Sequence, residues 1–347
     1  MLGKSEFWKE LAQCRSAGCE MCLLGKTELG RDIIAMHKGN FSGGQTLIQG
    51  GIHAREWVTA MLVMSMLRDY RGVGGVWAIP FVNVDGAMLC QFGLDSVSYN
   101  SVGEFNVASE ITAFGALNKN RKLTIADEIL NQKIRNSNLD LNVANEKNNK
   151  NARNGDLELQ TASEKDYRDI DFDSVAKFLV ETNGGSENFA DWKANARAVD
   201  LNVNFDAKWG SGESNWFFPS PSNYVGQFAC SESETRALVD ITNSISPTVT
   251  LSYHARGEVI YHGFDGVEPF VEVAEKIASS TGYALESSRE SAGGYKDWFV
   301  ATRHKLGLTI EVGKDATPCD ELEDYLYYMR QQNAEVLDIA TQLATNC

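Results

Sequence analysis

The stretch Thr46-Leu-Ile-Gln-Gly-Gly-Ile-His-Ala-Arg-Glu-Trp57 joins a predicted strand to a predicted helix. Thr46–Ile52 is an apolar run, typical of a strand buried on both faces. The amphipathic run Trp57–Tyr70 predicts a helix. The two glycines between them permit a bend, so that His53 and Glu56 can turn toward one point. Two ligands do not make a zinc site, so the rest of the chain has to supply a third ligand, a base and a substrate clamp.

Apolar strands and amphipathic helices alternate along the rest of the chain. Further strands are predicted at Ile33–His37, Gly75–Val82, Thr248–His254, Val259–Tyr261 and Leu306–Val312. Helices are predicted at Phe7–Cys14, Thr235–Ile245, Glu268–Ser280 and Leu322–Leu343, with another opening at Gly293–Trp298. A turn is predicted at Asn83–Gly86, and a capping box at Ser231–Glu234. This alternation predicts an α/β fold, a single domain whose mixed, twisted sheet has helices on both faces.

One segment, around residues 118–170, differs in composition. Its middle, Asn131–Asp156, is crowded with Asn, Lys and Asp and is poor in aromatic residues. Such a segment buries little apolar surface, so we predict a solvated insertion in the single domain of residues 1–347. It is either a loop without function or a lid or partner-binding segment.

The amino-acid composition limits which classes of molecule are expected to bind this chain. The 347 residues include 32 Lys and Arg and 47 Asp and Glu, a net charge of -15. This charge disfavours nucleic acid and anionic membranes as partners, since both would repel the chain. There is no apolar run of 18 residues, and the first residues lack the apolar core of a signal peptide. We therefore expect a cytoplasmic protein, with a removed leader as the alternative. The sequence does not determine the oligomeric state.

The seven cysteines are an odd number, and most are scattered. An odd count without a signal peptide favours reduced thiols over a disulfide framework. Cys14, Cys19 and Cys22 are clustered, and the last two have the spacing of metal ligands. Ordinary packing thiols and a structural metal site are the two interpretations.

Three predicted strands carry a metal-binding or proton-transferring residue at their carboxyl ends: His53, His254 and Glu311. Burying such a group without a partner costs several kcal/mol, so three strand ends of this kind indicate a shared site. Two His and one Glu with an open fourth position are the ligand set of a catalytic zinc. Taken alone, a histidine such as His254 is more often a core residue with a hydrogen-bond partner than a metal ligand.

Five motifs carry a family resemblance. They are His53-x-x-Glu56, the Val-Asp-Leu-Asn motif at 199–202, Ser252-Tyr-His254, Gly293-Gly-x-x-Asp-Trp298 and Thr309-Ile-Glu311. In this order, between Gly25 and Gly313, they resemble the zinc carboxypeptidase family. The resemblance implies one Zn²⁺ per chain, held by His53, Glu56 and His254.

The resemblance also implies roles around the metal. Glu311 is the general base that accepts a proton from the attacking water, and Arg55 polarises the scissile carbonyl. Asp200 holds the ring of His53 from behind. These roles agree with general chemistry, because hydrolysis needs a base near the metal and an Asp behind a ligating His fixes its tautomer.

The chain departs from the digestive members of this family where the substrate binds. There, an Arg follows the Asn that clamps the C-terminal carboxylate, but here Val203 follows Asn202. Lys193, Asn195 and Arg197 compete for the position of the oxyanion-stabilising arginine. The family's tyrosine before the double glycine is absent: Arg289 and Glu290 lie there, and Tyr295 just after. An arginine binds a carboxylate through two hydrogen bonds and valine through none, so we do not expect ordinary carboxypeptidase specificity.

The sequence around Trp192–Asn202, with Tyr253–Gly257 and Gly293–Trp298, is similar to a bacterial branch that cleaves γ-D-glutamyl-meso-diaminopimelate bonds. Arg256, two residues beyond a predicted ligand, is placed to bind a substrate carboxylate, or it is a plain surface residue. Asn202, Arg197 and Tyr295 complete the predicted substrate-binding set.

The resulting prediction is a zinc metallopeptidase that acts on a small cell-wall (murein) peptide. One alternative is a conventional metallocarboxypeptidase that releases C-terminal amino acids. The other is a catalytically weak zinc-binding protein.

Overall fold

The computed structural model describes residues 4–103, 112–113, 170–288, 291–314 and 322–346. Nine strands form one sheet: β1 (Glu20–Lys26), β2 (Asp32–Gly39), β3 (Gln45–Gln49), β4 (Gly75–Ile79), β5 (Thr112–Ala113), β6 (Val249–His254), β7 (Val259–His262), β8 (Ala284–Ser287) and β9 (Leu306–Glu311). Their spatial order is β5-β1-β2-β4-β3-β6-β9-β7-β8.

Ten α-helices lie in the described ranges: α1 (Lys4–Ser16), α2 (Val58–Asp69), α3 (Val84–Phe92), α4 (Tyr99–Gly103), α5 (Phe172–Thr182), α6 (Ser233–Ile245), α7 (Val271–Thr281), α8 (Tyr295–Arg303), α9 (Leu322–Gln332) and α10 (Val336–Asn346). One apolar core joins α1, α2, α7, α9 and α10 to the sheet face that carries Ile48, Leu251 and Leu308. On the opposite face, Gly307 of β9 lets Phe299 and Val300 of α8 approach closely. The predicted mixed sheet with helices on both faces is confirmed.

The four central strands of the sheet are parallel, antiparallel pairs flank them, and the edge strand β8 is parallel to β7. β4, β3, β6 and β9 run parallel, whereas β1 pairs with β2, β2 with β4, and β7 with β9 in antiparallel fashion. The carboxyl ends of the parallel strands therefore share one edge, where α/β sheets bind their ligands. His254 pairs directly with Glu311 there.

Three local predictions were wrong. The expected turn at Asn83–Gly86 is the start of α3, because the Asn83 side chain accepts a hydrogen bond from the Gly86 N–H and caps the helix. The expected capping box at Ser231–Glu234 is not formed. Glu232 holds the N-cap position of α6 without a side-chain cap, and the Ser231 hydroxyl donates to Glu232 instead.

The single terminal helix expected over Leu322–Leu343 is two helices, α9 and α10. Asn333 lies between them, and its side-chain amide donates to the carbonyl of Met329 at 2.9 Å. The buried Asn333 side chain and the turn that follows end the first helix. Three strands, β1, β5 and β8, were not predicted from the sequence.

The chain divides into two compact units, one formed by Met1–Thr112 with Tyr167–Cys347 and the other by Ala113–Asp166. The predicted solvated insertion around 118–170 falls almost entirely outside the described residues, and the prediction of a single domain stays a prediction. Across the described ranges, the helices are all too short or too polar to cross a membrane.

Candidate metal centre

The turn that carries His53 and Glu56 is held in place by backbone contacts. His53 is extended, and a short 3-10 turn, Ala54–Glu56, follows it. Gly51 has a positive φ of 56°, and a side chain at Gly50 would collide with the Thr59 backbone, so both glycines of the sequence are needed. The Ala54 N–H donates to the Lys193 carbonyl at 3.0 Å.

Three donor groups converge at the carboxyl edge of the sheet. Nδ1 of His53 lies 2.9 Å from Oε1 of Glu56, and Nδ1 of His254 lies 3.1 Å from Oε2. All three side chains are buried, and the ligand atoms lie within 4.8 Å of one another. A carboxylate between two imidazole nitrogens is the donor set of a catalytic zinc site, so the residues fit the metal that the sequence predicts.

Asp200 orients the first of these histidines. Its Oδ1 lies 3.2 Å from Nε2 of His53, on the ring edge away from Glu56. The Asp200 side chain is itself fixed, because it accepts hydrogen bonds from the backbone N–H groups of Asn202 and Asn223 at 3.1 and 3.0 Å. A carboxylate at Nε2 keeps the proton there and leaves Nδ1 for a cation, as in many zinc sites.

The electrostatics of this cluster favour positive charge at its centre. Burial disfavours a charged His53 ring, yet the Glu56 and Asp200 carboxylates together raise the pKa of His53 to about 10. Burial would likewise raise the pKa of Glu56, but His53 and His254 hold it well below its usual range. Both carboxylates are therefore ionised, and the donors attract a cation, whether a proton or a metal.

Glu311 lies beside this cluster at the end of β9. Burial raises the pKa of Glu311, and the Glu56 carboxylate adds to the effect, while His254, His53 and Lys193 oppose it. The register fixes Glu311 next to His254, since the two are direct Cα partners in parallel strands. A carboxylate whose pKa is raised, next to a metal site, has the properties of a general base.

Four cations were candidates for substrate or transition-state contacts. Arg55 and Arg256 are exposed, and neither forms an ion pair with another described residue. Lys193 is partly buried, and its charge acts on both Asp200 and Glu311. Arg197 instead lies 3.7 Å from the buried Glu232 carboxylate and lines a separate cavity of about 380 Å³. Of the three residues that competed for the oxyanion position, Lys193 is therefore the one beside the centre.

Two further predicted substrate-binding residues have different positions. Asn202 is partly buried, and its side-chain oxygen accepts a hydrogen bond from the Tyr295 backbone N–H at 3.3 Å. The Tyr295 side chain is fully buried among Phe205 and Trp298, and its hydroxyl lies 2.8 Å from that of Thr242. A substrate-binding role for the Tyr295 hydroxyl does not fit this position. Arg289 and Glu290 lie outside the described residues.

The cysteine cluster does not form a second metal site among the described residues, where the His53–Glu56–His254 group is the one set of convergent ligands. The Cys14 thiol donates to the backbone carbonyl of Met64 at 3.5 Å. Cys14, Cys19 and Cys22 are all free, buried thiols. The interpretation as packing thiols fits this contact.

Residues 181–335 match the family model described as zinc carboxypeptidase. This range contains Asp200, His254 and Glu311, and the fold brings His53 and Glu56 to them from outside it. Over this range the chain is similar to the zinc carboxypeptidase family. The metallopeptidase class and the carboxypeptidase-like sheet that the sequence predicts both agree with this match.

Known proteins that are similar to this chain differ in how much of it they cover. Gamma-D-glutamyl-L-diamino acid endopeptidase 1 of Lysinibacillus sphaericus is 37% identical over 143 residues, which is 40% of this chain and 36% of that protein. Bovine thrombin-activatable fibrinolysis inhibitor, in complex with tick carboxypeptidase inhibitor, has the same fold (TM-score 0.58, 14% identity, covering 99% of this chain and 98% of that one). Carboxypeptidase A from Helicoverpa armigera gives a TM-score of 0.57 at 15% identity, covering 97% and 72%.

Proposed function

We propose that this chain is a zinc peptidase that hydrolyses the γ-D-glutamyl bond to a diamino acid, such as meso-diaminopimelate, in cell-wall peptides. One observation carries the catalytic part. The Nδ1 atoms of His53 and His254 both face the Glu56 carboxylate, and Glu311 is locked in register beside His254. One zinc per chain would be held by His53, Glu56 and His254.

Zinc at this position supplies Lewis-acid activation of a water molecule and of the scissile carbonyl. Glu311 accepts the proton of the attacking water and passes it to the leaving amine, which its raised pKa favours. Stabilisation of the oxyanion that develops on the carbonyl oxygen is assigned to Lys193, whose charge acts on Asp200 and Glu311, and to Arg55, which lies between two of the metal ligands in the sequence. Asp200 keeps the His53 ring oriented throughout.

The substrate part of the proposal rests on charge. Val203, where digestive members have an arginine, removes one half of the clamp for a C-terminal α-carboxylate. In its place, Arg256 offers an exposed guanidinium two residues beyond the ligand His254. A γ-D-glutamyl-diaminopimelate peptide carries several carboxylates, and a protein of net charge -15 binds it only through local cations of this kind. The diamino acid named for the Lysinibacillus sphaericus relative supports the same substrate class.

The test is incubation of the zinc-loaded protein with L-Ala-γ-D-Glu-meso-diaminopimelate beside a panel of ordinary dipeptides and C-terminally free peptides, followed by mass spectrometry. We expect cleavage at the γ-D-glutamyl bond and little release from the panel. Arg256→Ala should raise KM for the diaminopimelate peptide without an equal loss of kcat, because Arg256 binds a remote carboxylate. Cleavage of the panel alone would assign a conventional carboxypeptidase, and cleavage of neither would assign a zinc-binding protein.

A further inference from the structure

The two histidines at the metal centre differ on the ring edge that faces away from Glu56. Nε2 of His53 has Asp200 at 3.2 Å. Nε2 of His254 is buried, and no hydrogen-bond partner for it lies among the described residues. If Nδ1 of His254 gives its lone pair to a metal, the ring proton sits on Nε2, and a buried N–H donor without an acceptor is unfavourable.

Other buried polar side chains on the same sheet face are also without partners in the described part of the chain, among them Gln49 and Ser252. Gln49, the last residue of β3, is fully buried, and neither its Oε1 nor its Nε2 forms a hydrogen bond. The Ser252 hydroxyl is in the same situation. Leaving the amide of Gln49 unbonded at both ends is unfavourable, so a shared water is needed to satisfy these groups.

The strand register places these groups together. Gln49 of β3 is the direct Cα partner of Ser252 of β6, so their side chains share one face. His254 is two residues beyond Ser252, and alternation along a strand returns it to that face. The Gln49 side chain is long enough to extend along the strand toward the His254 ring.

We propose that Gln49 is the positioning residue of His254, its side-chain oxygen accepting the Nε2–H of the ring through one water shared with Ser252. Gln49 thereby does for His254 what Asp200 does for His53. The neutral amide orients the ring without adding a second negative charge behind the metal, which distinguishes the two ligands. The inference rests on the zinc site proposed above.

The experiment compares Gln49→Met with Thr46→Val. Thr46 is the matched control because it lies on the same strand, is fully buried and has an equally unpartnered hydroxyl, but faces the opposite side of the sheet. Zinc affinity is measured by chelator competition on the purified full chain. Removing the group behind a ligating histidine typically weakens binding by about 10–100-fold, and we expect this for Gln49→Met and no change for Thr46→Val.

The possible results distinguish failure of the proposed zinc site from failure of the proposed role of Gln49. A wild-type chain that binds no zinc would reject the proposed function. A wild-type chain that binds zinc while Gln49→Met and Thr46→Val bind it equally well would reject the role of Gln49. If Gln49→Met does not fold, NMR of the zinc-loaded wild type decides. A slowly exchanging Nε2 proton on His254 with a nuclear Overhauser contact to the Gln49 amide supports the role, and a ring proton on Nδ1 or no such contact overturns it.

Discussion

Two buried carboxylates in this protein, Glu56 and Glu234, have pKa values that are shifted in opposite directions. Glu56 is enclosed by His53 and His254, and its pKa is held well below the usual range. Glu234 is equally buried, but burial, the neighbouring Glu232 and then Asp85 raise the pKa of Glu234 to about 8. Hydrogen bonds to Glu234 come from Ser233 at 3.0 Å and from Asn195 at 3.5 Å, and no cation among the described residues forms an ion pair with it.

The difference shows what distinguishes a reaction centre from a buried acid that belongs to the scaffold. The ligands of the metal centre come from separate stretches of the chain. The negative Glu56 carboxylate lies between the ring nitrogens of His53 and His254, so groups that attract each other meet at one point. The Glu232–Glu234 cluster lies within one stretch at the start of α6 and is stabilised by Asn195 and, at 3.7 Å from Glu232, by Arg197. Burial is common to both, and charge complementarity is what separates them.

The largest expected effect is loss of the metal. His254→Ala removes one of three donors, so zinc should fall from about one per chain to near zero by metal analysis, and hydrolysis should fall with it. His304→Asn is the control, because His304 is exposed, has a positive φ that Asn tolerates, and lies at the end of α8. Full zinc content in His254→Ala would mean that the metal binds elsewhere.

Glu311→Gln tests whether Glu311 acts in the catalytic step without being needed for zinc binding. The amide keeps the size of the side chain but cannot accept the proton of the attacking water. Zinc content should stay at the wild-type level, while kcat falls by about 10²–10⁴-fold. Unchanged turnover in this variant would show that another group is the base.

Two variants test whether the two cations of the Trp192–Asp200 segment, Lys193 and Arg197, have different roles. Lys193→Met should lower kcat by about 10²–10³-fold, because its charge lies beside the developing oxyanion. Arg197→Met should leave kcat unchanged, since Arg197 is directed to Glu232. Equal losses in steady-state kinetics would contradict the division between the two clusters.

The smallest effect concerns stability. A carboxyl whose pKa rises from 4.5 to about 8 on folding stabilises the protein below pH 4.5, and this contribution is lost as pH rises toward 8. Glu234→Gln keeps an acceptor for Ser233 but carries no charge. It should therefore raise Tm by a few degrees at pH 8.5 and change it little at pH 5, as followed by circular dichroism. A pH-independent difference would show that Glu234 is ionised in the folded state.

The sequence was sufficient for the parts of the fold and site that depend on local pattern. Apolar strands ending in His53, His254 and Glu311 were predicted because a buried run followed by an ionisable residue is unusual. What the sequence left open depends on distant contacts. The Asn83 side chain caps α3 and also donates to the carbonyl of Ala194 at 3.0 Å, a contact across more than 100 positions.

The same limit applies to side chains of similar chemistry in one segment. Lys193 and Arg197 are both cations, and only the packing of the loop against Pro221 and Glu232 decides which faces the metal ligands. Tyr295 follows a glycine pair in a family motif, but α8 begins there and turns the ring into the core. Nothing in the local sequence indicates this orientation.

The pairing of His254 with Glu311 has a consequence for how such proteins diversify. Ligand and base are neighbours in one ladder of backbone hydrogen bonds, so their separation is set by the spacing of strands and not by any loop. Val203 and Arg256 lie outside the strands, where substitutions leave that ladder intact. Mutation there can therefore change which peptide is accepted without disturbing the reaction, and a library confined to these two positions is a direct way to redesign the specificity.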